Sequence, residues 1–137
     1  MTELVKLEIK TMKELNHPYL LGINFVTIEN TAIYLSMPFS LGGDVSGLFY
    51  KLRNAYRGRK ASKNKDGTVN DAIAIDKTSY FHERQILYWA KQMITGIGAL
   101  HRQGLVHKDI KLPNILINED YSIIVCDFGL AEYVLAG

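Results

Sequence analysis

A single cysteine, Cys126, stands among 137 residues. One thiol excludes an internal disulfide and fits a chain that works in a reducing compartment. Excess charge is equally scarce. Sixteen Lys and Arg face fourteen Asp and Glu, and the formal net charge of +2 is too small to imply a nucleic-acid or membrane partner. No apolar run reaches the ~20 residues that cross a bilayer. The opening MTELVKLEIK is too charged for a secretory signal. Internal repeats are absent. What is present is an ordinary globular composition, 47% hydrophobic and 22% charged, at a length that can bury one core. The expectation is a soluble one-domain chain of the cytoplasm or nucleus, and nothing in the composition sets an oligomeric state.

Hydrophobic spacing divides the chain. Val5, Ile9, Met12 and Leu15 recur at helical intervals over residues 2–15, and Asn16-His17-Pro18 ends that helix. YLLGINFVTIENTAIYLSMPF reads as two strands with a turn at Glu29-Asn30. The paired glycines of SLGGDV break the pattern, and a short helix is predicted from about Val45 to Tyr56. Residues 51–65 hold seven basic residues and no acidic one. Such a run can meet phosphates, but without regular aromatic interleaving a solvated loop is the simpler reading. Residues 82–102 form the strongest helical pattern, with Ile86, Ala90, Met93, Ile97 and Leu100 on one stripe and Gly104 as its stop. A strand over 115–117, a turn at Asn118-Glu119-Asp120 and a strand over 122–126 follow.

In VHKDIKLPNILI, residues 106–117, Asp109 and Asn114 stand five apart. On a helix they would diverge by about 140°, and Pro113 would break that helix. The segment is therefore predicted as a loop running into the strand at 115–117. If the two strands pair as a hairpin, Asn114 before the first and Asp127 after the second lie side by side, about 5 Å apart. An amide oxygen and a carboxylate at one hairpin end, with Asp109 just upstream, suit Mg²⁺ that shares its shell with substrate phosphates.

HKDIKLPN followed by DFG (Asp127-Phe128-Gly129) resembles the catalytic loop and metal-binding motif of protein kinases, in the family's order and separation. The resemblance implies an incomplete α+β, two-lobed kinase-like fold. Residues 1–37 would be a small-lobe remainder, 38–44 the hinge, and 45–137 part of the large lobe with an inserted basic loop at about 51–77. It implies transfer of the γ-phosphoryl of Mg-ATP to a protein substrate. A lysine two residues after the aspartate resembles serine/threonine rather than tyrosine kinases. Asp109 would be the base that orients the substrate hydroxyl, Lys111 would neutralise the moving phosphoryl group, and Asn114 and Asp127 would hold the metal ions. Glu8, ten residues before Pro18, would pair with the phosphate-binding lysine. Met37 would guard the back pocket, while the carbonyl of Pro38 and the N–H and carbonyl of Ser40 would meet the adenine edge. Asp44 would face the ribose or substrate, Leu116 would floor the adenine, and Cys126 would sit beside it. Met12, Ile23, His107 and Phe128 match the family's stacked apolar column. A solvated helix position for Glu8, and plain core packing for Met37 and Leu116, stand as the simpler alternatives.

The match covers the middle of the family's domain. No glycine-rich loop or lysine-bearing strand precedes Glu8, Lys6 shares its helix, and eight residues follow Gly129. Lys108 replaces the usual arginine, keeping the charge but losing the two-pronged grip. Leu112-Pro113 replaces the commoner Pro-Glu, and no Ser or Thr follows DFG. The expectation is a serine/threonine kinase fragment that is inactive by itself. A binding module without catalysis is the second reading. A basic RNA-binding domain, resting on residues 51–65 alone, is the third.

Overall fold

The computed structural model describes residues 3–30, 32–60 and 81–134. Helix α1 (Glu3–Glu14) ends ahead of Asn16-His17-Pro18, as the spacing predicts. It buries Met12 and Thr11, and Leu15 just beyond it is buried too, while Val5 stays exposed. β1 (Phe25–Glu29) and β2 (Ala32–Ser36) form an antiparallel hairpin with Glu29 opposite Ala32. Asn30 lies in the turn at φ +50°, a left-handed conformation that asparagine tolerates better than most residues.

Helix α2 (Val45–Lys60) runs four residues past the predicted end at Tyr56. The first ten residues of the expected basic loop, 51–60, are therefore helical. Lys and Arg are good helix formers, and positive charge suits the C-terminal end of a helix dipole. The rest of that expected loop, from residue 61, lies outside the described residues.

Helix α3 (Glu83–Arg102) is the longest element among the described residues, and Gly104 follows it at φ +73°. Its buried face is Trp89, Gln92, Gly96, Ala99 and Leu100. The predicted stripe was rotated from this, because Ile86 is exposed and Met93 and Ile97 are only half-buried. Apolar residues lie on several sides of α3, so periodicity gives the helix but not its phase. Specific contacts choose the phase. Trp89 Nε1 donates to the Tyr121 carbonyl at 2.8 Å, and Ile123 N–H donates to the buried Gln92 Oε1 at 2.9 Å. At Gly96 an added Cβ would come within 3.1 Å of the Tyr19 carbonyl oxygen, so glycine permits the close approach of α3 to residues 19 and 20.

After α3 come β3 (Leu105–Val106), a 3-10 turn (Leu112–Asn114), β4 (Ile115–Ile117), β5 (Ile123–Val125) and β6 (Glu132–Tyr133). β3 pairs with β6, and β4 with β5, both antiparallel. One apolar cluster joins Met12, Leu15, Leu20, Leu21, Leu100, Leu105, Val125 and Phe128. A second joins Val45 of α2 and Trp89 of α3 to Ile115, Ile117 and Ile123. The β4–β5 hairpin thus contributes to both clusters through one face, on which Ile115, Ile117, Ile123 and Val125 are buried. Among the described residues no helix is long and apolar enough to cross a membrane.

Candidate functional site

The loop between β3 and β4 is organised around Asp109. Lys111 Nζ lies 2.6 Å from Asp109 Oδ2. The buried Asn114 directs Nδ2 to both the carbonyl and Oδ2 of Asp109, each at 3.0 Å. With its amide hydrogens committed, Asn114 keeps Oδ1 as an acceptor with no donor from the described residues. The hydrogen bond from Lys111, with help from Asn114 and the charge of Lys111, holds the Asp109 carboxyl below the usual range. Lys111 is pushed up by the same hydrogen bond, and by the charges of Asp109 and Asp127. Both groups are therefore ionised at neutral pH.

His107 is the strut of this loop, a role beyond the apolar column in which the sequence placed it. Its ring is 1% exposed and packs on Phe128 with ring centres 5.2 Å apart. Asp109 N–H donates to His107 Nδ1 at 3.2 Å. The ring hydrogen must then sit on Nε2, which donates to the Cys126 carbonyl at 3.1 Å. One side chain thereby joins the residue carrying the carboxylate to the residue before Asp127.

The hairpin register differs by one residue from the prediction. Ile115 faces Val125, so Asn114 lies opposite Cys126, and Cys126 N–H donates to the Asn114 carbonyl at 2.9 Å. Asn114 and Asp127 are not direct neighbours across the ladder. The five-residue connection at 118–122, with Tyr121 at φ +62°, sets this register. Strand alternation would then turn residues 126 and 127 to opposite faces. Asp127 escapes alternation by leaving the strand at φ +66°. Its charge is felt by Lys111, Glu8 and Cys126, so its carboxylate is shared with the groups of the loop and of α1.

Glu8 comes to the same place from α1. A Cβ on Gly129 would lie 3.4 Å from Asp127 Oδ1 and 3.9 Å from both Glu8 carboxylate oxygens. Burial, and then the Asp127 charge, push the Glu8 carboxyl up. Two carboxylates thus converge around Gly129. Among the described residues no three His, Cys, Asp or Glu side chains cluster closely enough to hold a metal ion. Asn114 Oδ1 and Asp127 nevertheless fit Mg²⁺. They are hard oxygen donors with spare acceptor capacity, and Mg²⁺ takes few protein ligands when phosphates complete its shell.

The segment after β2 lies along the other end of the hairpin. Met37 is exposed, and neither the Pro38 carbonyl nor the Ser40 N–H has a hydrogen-bond partner among the described residues. The Ser40 carbonyl accepts from Gly43 N–H at 3.3 Å, which closes a turn. Asp44 caps α2: its Oδ1 accepts from Gly47 N–H at 2.8 Å. This role was missed, although an aspartate directly before a helical run is itself an N-cap signal. Asp44 also bridges to Leu116, and Leu116, Ile124 and Cys126 share the half-buried face of the hairpin. Burial, then the charges of Asp127 and Asp44, push the Cys126 thiol up. Lys108, at φ +65°, forms an ion pair with Glu132 of β6.

Comparison with known proteins agrees with this arrangement. The family model described as the protein kinase domain matches residues 1–137. A CBL-interacting protein kinase 26 of Oryza sativa subsp. japonica is 32% identical over 127 residues, covering 93% of this chain and 20% of that protein. A probable serine/threonine-protein kinase of Dictyostelium discoideum is 27% identical over 121 residues, covering 88% of this chain and 21% of its own length. The RAC serine/threonine-protein kinase of Drosophila melanogaster is 26% identical over 125 residues, covering 91% and 16%. The chain thus spans about a fifth of the length of the curated relatives it matches. With the Asp109 loop, the hairpin and Asp127 in the order that this family's chemistry requires, the chain belongs to the protein kinase family.

Proposed function

We propose that residues 1–137 carry the nucleotide-binding and phosphoryl-transfer core of a serine/threonine protein kinase, acting on Mg-ATP and a protein hydroxyl. The observation that carries this reading is the Asp109–Lys111–Asn114 cluster. Lys111 and Asn114 both engage Asp109 Oδ2, which leaves Oδ1 to accept the hydrogen of an incoming hydroxyl. A carboxylate held below its usual pKa is a weak base, so Asp109 orients the hydroxyl and takes its proton late. That timing suits a loose transition state in which the nucleophile bonds little before the leaving group departs. Lys111 remains cationic beside this point and offsets charge on the transferring group. Asn114 Oδ1 and Asp127 would hold Mg²⁺, which supplies charge neutralisation along the phosphates. The free Pro38 carbonyl and Ser40 N–H offer an acceptor and a donor to the adenine edge. Leu116 would lie beneath the base with Cys126 at its side, and the second carboxylate oxygen of Asp44 would be left for the ribose or substrate.

The 137 residues contain no glycine-rich phosphate loop, and Lys6 shares a helix with Glu8. This polypeptide by itself is therefore expected to transfer no measurable phosphate. The test is to transplant residues 1–137 into a complete serine/threonine kinase domain in place of the corresponding segment. The chimera should phosphorylate a peptide, and Asp109→Asn or Asp127→Asn should each lower kcat by at least about a hundredfold. A folded chimera that binds ATP but transfers nothing, with both aspartates intact, would favour the binding-module reading. Transfer that survives Asp109→Asn would remove the proposed role of Asp109.

A further inference from the structure

A second polar chain lies at the opposite end of the hairpin from Asp127, apart from the catalytic cluster. Ser40 is 8% exposed, and its hydroxyl lies 3.1 Å from Asn118 Oδ1. Asn118 Nδ2 lies 3.0 Å from Ser122 Oγ, which in turn lies 2.6 Å from Asp120 Oδ1. The acid end fixes the direction of every bond. An ionised carboxylate only accepts, so Ser122 gives Asp120 its one hydroxyl hydrogen. Ser122 Oγ must then accept from the Asn118 amide, which turns the amide oxygen to Ser40 and leaves Ser40 as the donor. Hydrogen bonds from the Ser122 hydroxyl and N–H hold the Asp120 carboxyl below its usual range, so the accepting form persists at neutral pH.

A backbone ladder runs beside this chain. Gly42 N–H donates to the Ile117 carbonyl at 2.9 Å, and Ile117 N–H donates to the Gly43 carbonyl at 2.8 Å. The ladder fixes how far the segment after β2 reaches along the hairpin. It leaves the peptide between Phe39 and Ser40 without a hydrogen bond from Ser40 N–H to any described residue, since only the Ser40 carbonyl is held, by Gly43 N–H. The buried side chain of Ser40 supplies the missing restraint. Three consecutive hydrogen bonds ending on a charge reinforce one another, and they run from the proposed adenine edge to the turn between β4 and β5.

We propose that Asn118, Ser122 and Asp120 are positioning residues for base recognition: through Ser40 they aim the free Pro38 carbonyl and Ser40 N–H into the cleft, and so set its selectivity for adenine. This rests on the reading of the cleft as a nucleotide site. The discriminating probe pair is Mg-ADP and Mg-IDP. Inosine replaces the exocyclic amine of adenine by a carbonyl and its ring acceptor by a donor, so it mismatches an aligned carbonyl and N–H pair.

The experiment measures both dissociation constants on the 137-residue chain by ligand-observed NMR, with thermal melting as the fold control. The chain should prefer ADP. Ser122→Ala should weaken ADP about fivefold, the worth of one hydrogen bond, and leave IDP within about twofold. Ser122→Thr, which keeps the hydroxyl, should restore the preference. Asp120→Ala, a change on an exposed turn that removes the acceptor of the Ser122 hydroxyl, should act like Ser122→Ala if that variant fails to fold. An equal loss for both nucleotides, or no loss for either, overturns the inference while the nucleotide site stands. Wild-type chain that binds ADP and IDP alike also overturns it. Binding of neither removes the inference together with the nucleotide reading.

Discussion

At the scale of single residues, the two groups with the clearest chemistry have opposite dispositions. Asp109 is held ionised by Lys111, whereas Cys126 is held protonated by burial and by the carboxylates of Asp127 and Asp44. The Asp109 shift is downward, so its contribution to folding is present above the unfolded carboxylate pKa, about 3.9, and is lost as pH falls through the lower folded value. Carboxyl-carbon NMR should show Asp109 titrating below that unfolded value, and Lys111→Met should move its midpoint upward. An unchanged midpoint would mean that the short Lys111 contact does not persist in solution. Cys126 should react slowly with a small maleimide near neutral pH. Its rate should still be rising at about pH 8.5, where an ordinary thiol is half ionised. Rapid labelling with a plateau below that pH would contradict the half-buried, acid-flanked placement. The identity of these residues was legible in the sequence, because DFG and HKDIKLPN are local patterns. Their electrostatics were legible only in part. The Asp127 charge beside Cys126 follows from adjacency, but Asp44 reaches Cys126 only through the bridge to Leu116, across more than seventy residues of chain.

At the scale of elements, the hairpin shows where sequence reading stops. Both of its strands were predicted, yet the assumed register was off by one, since a pattern of alternating residues does not count the residues in its turn. The same holds for α3, whose existence followed from its period while its phase waited on Trp89, Gln92 and Gly96. Close backbone approach is equally hidden, and Gly42 is the sharpest case. An added Cβ would lie 2.6 Å from the Ile117 carbonyl oxygen, so Gly42→Ala must push the segment after β2 off the hairpin. It should destabilise the chain by about 1–3 kcal/mol and lower Tm by several degrees. Gly47→Ala is the matched control inside α2. Its new methyl would make an ordinary 3.4 Å contact with Asp44, and the helix should gain up to about 1 kcal/mol. Equal melting temperatures for the two variants would show that the Gly42–Ile117 approach carries no stability.

At the scale of the whole molecule, the fold holds its proposed catalytic parts against one another more firmly than it covers its apolar faces. Phe39 is 84% exposed and Ile94 of α3 is 72% exposed, while His107, Phe128 and Val125 beneath the site are almost wholly buried. Glu8 lies where these tendencies meet, because α1 is packed by Met12 into the main cluster and so carries a carboxylate toward Asp127. Its raised pKa reverses the sign argued for Asp109. At acid pH, with the carboxyl protonated in both folded and unfolded chain, Glu8 costs nothing. As pH rises through the window between its unfolded and folded values, ionisation near Asp127 penalises the folded state, and the penalty is complete above that window. Glu8→Gln should therefore raise the Tm of the 137-residue chain at pH 7, and the gain should vanish below about pH 4. In the complete chimeric domain the same substitution should lower transfer by at least about tenfold, if Glu8 there pairs with the phosphate-binding lysine that the family resemblance assigns to it. A residue that weakens the isolated chain and is required in the complete domain belongs to a site whose charge balance needs groups beyond these 137 residues. A glutamine variant that melts no higher at pH 7 would place Glu8 in solvent, away from Asp127.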